Sequence, residues 1–152
     1  MPPELVQLMA QSGCQSIQFG FESGNEAILR SIGKNTTPKQ IEDAARLCLD
    51  LGVIPIGNFL VGFPDDTRES IRETLELAKK LKRMGAVCYL AALTPFPGTY
   101  IYEHRERLGI VIHSRNWDDF TLDNPVISTR HLSLDELRTI YADTRTELYD
   151  SA

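Results

Sequence analysis

Three polar side chains, Glu22, Asn58 and Thr94, stand at equal intervals in or at the end of apolar runs, each shortly before a turn containing glycine or proline. A fourth, Lys34, lies just past a short predicted helix that follows the first run. A carboxylate or carboxamide can accept hydrogen bonds from a ribose diol, and a lysine ammonium can pair with a ligand carboxylate. Brought to one crevice, Glu22, Lys34 and Asn58 would suit a zwitterionic nucleoside. Structural uses compete with that reading. Glu22 could cap the next helix or pair with Lys34, Lys34 could be a solvated charge, and Asn58 could satisfy backbone groups at a bulge. On spacing alone these structural readings stand first. The stretch "VGFPDDT" is open in the same way: Gly62 and Pro64 turn the chain toward a helix whose N-terminal end favours Asp65 and Asp66.

Other chemistry finds no pattern. There is no GxGxxG or GxxxxGK[ST] phosphate loop, and no Ser-His-Asp arrangement. His104, His113 and His131 are isolated. Cys14, Cys48 and Cys88 show no CxxC spacing and sit among apolar neighbours, so they read as small buried hydrophobes in a reducing cytoplasm. A net charge of -5, with bases scattered among acids, argues against a nucleic-acid footprint or a polybasic membrane patch. No apolar run approaches the ~20 residues that span a bilayer, and "MPPELVQLMAQSG" lacks the pattern of a signal peptide. The expectation is a cytoplasmic protein with neither nucleic acid nor membrane as partner.

The elements that would position these residues alternate. A helix with Leu5, Leu8 and Met9 on one face ends at Gly13, and a strand follows over 15–22. "NEAILRSIG" reads as a short helix. "TTPKQIEDAARLCLDLG" reads as a stronger one, with Thr37 as N-cap, Pro38 in the first turn, Gln40 closing a capping box, and Ile41, Ala44, Ala45, Cys48 and Leu51 inward. The near-continuous apolar run "VIPIGNFLVG" suits a parallel strand covered on both faces. A helix capped by Thr67 then presents Ile71, Leu75, Ala78 and Leu81 to the core and ends at Gly85, and "AVCYLAALT" is a third strand. After the turn "PFPGT" come a helix closed by Gly109, an irregular stretch with room for a short strand, and a last helix. Ser133 and Glu136 cap that helix, and Leu134, Leu137, Ile140, Tyr141, Thr144 and Leu148 trace its inner face. The order predicts an α/β fold: a partial (β/α) TIM-like barrel of parallel strands with outer helices, plus a C-terminal helix. The equal spacing of Glu22, Asn58 and Thr94 would be one βα unit, placing all three at the C-terminal strand edge where barrel chemistry gathers.

At these residues the sequence resembles the radical S-adenosylmethionine (radical SAM) superfamily. The blocks "FGFESGNEAILRSIGKNTT", "GVIPIGNFLVGFPDDTRESIRETLELAKKL" and "LTPFPGTYIYEHRERLG" are similar to successive parts of the latter half of its core domain. The nearest subgroup by these blocks is that of Fe-S oxidoreductases with a cobalamin-binding domain. The resemblance implies that Glu22 and Asn58 contact the ribose hydroxyls of S-adenosylmethionine and that Lys34 lies near its methionine carboxylate. It also implies that Gly62, Leu93, Thr94 and Pro95 line the adenine side. Asn58 replaces an aspartate often found there, which alters that contact. The family's CxxxCxxC loop, which holds a [4Fe-4S] cluster, is absent from these 152 residues.

Residues 1–152 are therefore expected to be the C-terminal portion of a radical SAM barrel domain, inactive alone. Its expected partners are S-adenosylmethionine, an unknown substrate and the rest of a parent polypeptide, with any cobalamin bound by a domain outside this chain. Exposed sheet edges would favour self-association of the fragment. Two alternatives stay open at this level: an aldolase-like barrel lyase using Lys34 as a Schiff-base or phosphate residue, and a half-barrel binding or scaffold module.

Overall fold

The computed structural model describes residues 2–150. Helix α1 (Pro3–Gln11) leads into strand β1 (Ser16–Glu22), followed by α2 (Glu26–Ser31) and α3 (Pro38–Asp50). Strand β2 (Ile54–Val61), helix α4 (Arg68–Met84) and strand β3 (Val87–Ala92) complete the central unit. Helices α5 (Tyr100–Glu103) and α6 (Arg105–Leu108), strands β4 (Val111–Ile112) and β5 (Ile127–Ser128), and helix α7 (Leu134–Asp150) follow.

The helix boundaries have local causes. Thr37 and Gln40 form a reciprocal capping box on α3, and Thr67 and Ser70 form another on α4. Gly85 ends α4 at φ 109°, a left-handed geometry that glycine adopts without a Cβ penalty. On α7, Ser133 Oγ accepts from the Glu136 N–H, and Glu136 accepts in return from the Ser133 N–H. The helix expected between the third strand and Gly109 is broken at His104 into two single turns.

Strands β1, β2 and β3 form a parallel sheet in that order. Consecutive parallel neighbours with their connecting helices packed on one face fit the winding of a (β/α) barrel, as the partial-barrel expectation requires. Along β2 the residues alternate: Pro55, Gly57, Phe59 and Val61 are buried, while Ile54, Ile56, Asn58 and Leu60 are not. Phe59 and Val61 of this set share one core cluster with Ile41 and Ala45 of α3 and with Ile71, Ala78 and Leu81 of α4. Leu81 is fully buried, and its truncation to alanine would cost about 2–5 kcal/mol. The other sheet face is open, with Ile54, Val87 and Tyr89 exposed at 46%, 38% and 51%. Continuous apolarity of β2 thus records two different environments, helix packing on one face and the inner barrel surface on the other.

Two expectations change. Helix α1 packs through Val6 and Ala10 against Cys48 and its neighbours, while Leu5 and Leu8 are exposed, because a short helix at the margin of the fold buries only a narrow stripe. The equal spacing of Glu22, Asn58 and Thr94 is not a structural register. Glu22 ends β1, Asn58 lies within β2, and Thr94 follows β3, whereas the true row across the sheet is Gly20, Asn58 and Tyr89. A bulge between Gly20 and Glu22 shifts β1 against β2 and breaks the correspondence. Helix α7 docks on α4 through the expected face, with Leu137, Ile140, Tyr141, Thr144 and Leu148 buried. Among the described residues no helix is long and apolar enough to cross a membrane.

Candidate functional site

The turn after β1 is built by three successive residues with different duties. Glu22 has φ 64°, the only positive value at a non-glycine residue among those described, and it sits at the bulge. Such a conformation costs on the order of 1 kcal/mol or more in a side-chain-bearing residue and persists only where the surroundings impose it. Here the surroundings are tight. Ser23 is buried and its hydroxyl hydrogen-bonds Thr74 Oγ1 at 3.1 Å, while the Gly24 N–H donates to that same oxygen at 2.9 Å. A Cβ on Gly24 would lie 2.5 Å from the Glu73 carbonyl oxygen and 2.7 Å from Thr74 Cα, so only glycine lets the turn approach α4 this closely. The cap of α2 is Asn25, whose side chain accepts from the Ile28 N–H. Glu22 is therefore not spent on capping.

Lys34 returns to this turn from beyond α2. Its ammonium donates to the Gly20 carbonyl at 3.0 Å and lies 3.3 Å from Glu22 Oε1, with the Glu22 side chain 19% and the Lys34 side chain 42% exposed. The structural pairing considered from the sequence is thus present. Partly exposed, it contributes roughly 0–1 kcal/mol, which a ligand can outbid. Asn58 donates through Nδ2 to the Phe19 carbonyl at 3.3 Å, the bulge-stabilising use, and its carboxamide oxygen is not engaged in that bond.

Glu22 and Lys34 open onto one end of a cavity of about 530 Å³. Its other walls are largely apolar, with Leu60, Phe63, Leu93, Ile101 and Leu108 lining it and Tyr100 at its rim. A charged pair, with Ser31 and Asp65 as the other polar lining residues, beside aliphatic and aromatic walls suits a ligand that carries both hydroxyls and a flat apolar group. Leu93, one of the residues expected on the adenine side, lines this space. Gly62, Thr94 and Pro95 do not: Gly62 is buried beneath Leu137, and the Thr94 hydroxyl donates to the Thr121 carbonyl at 2.8 Å. Asn58 lies on the same sheet face just below, one inward position before Leu60, and does not line the cavity. Ile101 and Leu108 were invisible as site residues because apolar positions on a helix read as core. The order of the segment after "PFPGT" is the one signal that could have placed them here.

The loop after β2 carries a second carboxylate with a different fate. Asp66 is 1% exposed and accepts from the Gly62 and Phe63 N–H groups at 2.9 and 3.0 Å and from the Ser70 hydroxyl at 2.6 Å. Burial pushes its carboxyl above the usual range, and these three donors oppose that rise. Asp65 also lines the cavity, is exposed, and pairs with Arg130 at 3.4 Å.

No group of three or more metal-ligating side chains is gathered among the described residues. The three cysteines are free; Cys48 and Cys88 are buried, and burial raises the Cys88 thiol to about 11. The site can orient a ligand, and it presents no thiolate set for an iron-sulfur cluster.

Residues 1–78 match the family model described as the radical SAM superfamily. An uncharacterised methyltransferase of Pyrococcus horikoshii is 34% identical over 88% of this chain and 28% of its own length. Bacteriochlorophyllide d C-12(1)-methyltransferase of Chlorobaculum tepidum is 31% identical over 97% of this chain and 31% of its own. Among solved structures, coproporphyrinogen III oxidase from Escherichia coli, a radical SAM enzyme, aligns with TM-score 0.69 at 14% identity over 99% of this chain and 30% of that one. The radical S-adenosylmethionine methyltransferase TsrM from Kitasatospora setae, solved with cobalamin and a [4Fe-4S] cluster bound, aligns with TM-score 0.61 at 22% identity, covering 76% and 24%. The chain spans less than a third of each of these proteins.

Proposed function

The chain belongs to the radical SAM superfamily, and from that premise we propose that its C-terminal strand edge binds S-adenosylmethionine for a longer Fe-S enzyme. The observation that carries this reading is the meeting of Glu22 and Lys34 in the wall of a cavity whose remaining lining, Ser31 and Asp65 apart, is mostly apolar. Glu22 accepts hydrogen bonds from the ribose hydroxyls, Lys34 shifts from Glu22 toward the methionine carboxylate, and the adenine lies along Leu60, Phe63 and Leu93. Asn58 adds a carboxamide to the floor near the ribose. Gly62, Thr94 and Pro95 hold the surrounding loops in place. These residues bind and orient; none is asked to move a proton.

In the family the ligand supplies the sulfonium centre whose carbon–sulfur bond is broken at the cluster. The residues described here do not fit the cluster, so its ligands come from another part of the polypeptide, and the 152-residue chain is inactive alone. The span of less than a third of each relative supports that division. A cobalamin, where one is used, sits on a further domain, as the subgroup likeness suggests. The free thiols of Cys14, Cys48 and Cys88 suit a reducing cytoplasm.

The test is calorimetry of S-adenosylmethionine binding to the complete parent enzyme. Glu22→Ala is expected to weaken binding by about tenfold, the loss of one or two hydrogen bonds to a charged group. Unchanged affinity would remove Glu22 from the site.

A further inference from the structure

Gly20 lies on the open face of β1, two residues before Glu22, and its backbone does not require glycine: it is not among the residues with positive φ. Side chains two apart on a strand point the same way but ordinarily stand clear of each other. At this bulge they do not. With Glu22 turned to φ 64°, its carboxylate folds back over Gly20, so that a Cβ built there would lie 2.4 Å from Glu22 Oε1 and 3.3 Å from its Cδ. The same Cβ would lie 3.2 Å from Lys34 Nζ, which already takes the Gly20 carbonyl as its acceptor at 3.0 Å.

We propose that Gly20 is a positioning residue for this site: its bare Cα is the floor on which the Glu22 carboxylate rests, and its carbonyl anchors Lys34. The inference rests on the reading of Glu22 as a ligand contact and goes beyond it, by assigning the depth and direction of that carboxylate to a residue with no side chain of its own. Any side chain at position 20 lifts the carboxylate out of the cavity end and pushes the ammonium from its backbone acceptor. The three nearest atoms to the added Cβ all belong to the ends of these two flexible side chains. The fold can therefore accommodate the change while the site cannot, and a purely conformational glycine would show the reverse.

The experiment is a cycle in the complete parent enzyme, with wild type, Gly20→Ala, Glu22→Ala and the double variant, read by calorimetry with S-adenosylmethionine and by thermal unfolding. Gly20→Ala is expected to weaken binding by about tenfold while the melting temperature stays within about 2 °C of wild type. In the Glu22→Ala background it is expected to cause a clearly smaller loss, because the displaced carboxylate is gone and only the shift of Lys34 remains. If Glu22→Ala weakens binding and Gly20→Ala does not, the role of Gly20 is overturned and the binding reading stands. If Glu22→Ala leaves binding unchanged, the binding reading fails and takes this inference with it. Equal loss from Gly20→Ala in both backgrounds, or failure of that variant to fold, would also overturn it, since either shows a role not exerted through Glu22.

Discussion

Two carboxylates stand at the same edge of the sheet, Glu22 after β1 and Asp66 after β2, and they are treated in opposite ways. Asp66 is buried, and both its oxygens are taken by donors of its own loop, Gly62, Phe63 and Ser70. Glu22 is half-buried at a strained backbone position, with one exposed lysine as its partner and a cavity in front of it. One carboxylate is consumed in shaping a loop; the other is held ready at some cost in backbone strain. Proximity to a strand end therefore does not identify a ligand residue. On the proposed binding reading, a ligand residue is marked by hydrogen-bonding capacity left unspent after the fold has taken its share.

If this contrast is right, the largest stability effect belongs to Asp66. Asp66→Ala leaves two buried N–H groups without an acceptor and is expected to destabilise the chain by about 2–4 kcal/mol in denaturant unfolding, with Asp66→Asn milder. A loss below that of a typical surface substitution would erase the distinction. The pH dependence has a definite sign. Because burial raises the folded carboxyl above its unfolded value, the stability linked to its proton is full below the usual carboxylate pKa and falls as pH rises through the raised one. Asp66→Asn should remove that slope.

Next in size is Gly24→Ala. Its Cβ meets the α4 backbone at Glu73 and Thr74, which cannot swing aside, and a loss of about 1–3 kcal/mol is expected. Glu22→Gly should act in the opposite direction, leaving stability unchanged or raised by about 0.5–1 kcal/mol as the φ 64° strain is relieved, while ligand affinity falls. A clear loss of stability from Glu22→Gly would make Glu22 a structural residue like Asp66.

The smallest effect concerns a third, exposed carboxylate at the start of α7. Hydrogen bonds from the Ser133 backbone and hydroxyl, and then the Arg68 guanidinium, draw Glu136 down to about 2. Its contribution is present above the usual carboxylate pKa and is lost as pH falls through about 2. An NMR titration of Glu136 with an ordinary midpoint would contradict the cap and the bridge to α4.

Much of the fold was legible because local signals agreed. The caps at Thr37, Thr67 and Ser133 and the inward faces of α3, α4 and α7 are where the sequence places them. Helix α1 was misread because periodicity marks a stripe without saying how wide a stripe a neighbour covers. Within the site, the sequence offers the Glu22 and Lys34 pairing as one alternative, but the bulge that aims it is not visible there, since the left-handed turn falls on a glutamate rather than a glycine. The role of Gly20 was hidden for the same reason: its demand is steric and comes from a side chain two residues away. Equal spacing suggested a register that the bulge destroys.

The central claim is that the unspent capacity of Glu22 belongs to a ribose. A crystal structure of the complete parent enzyme with S-adenosylmethionine bound tests it directly. The account predicts a Glu22 carboxylate oxygen within about 3 Å of a ribose hydroxyl, with Lys34 drawn toward the ligand carboxylate. A Glu22 side chain still resting on Lys34, with the ribose held by other residues, would contradict it.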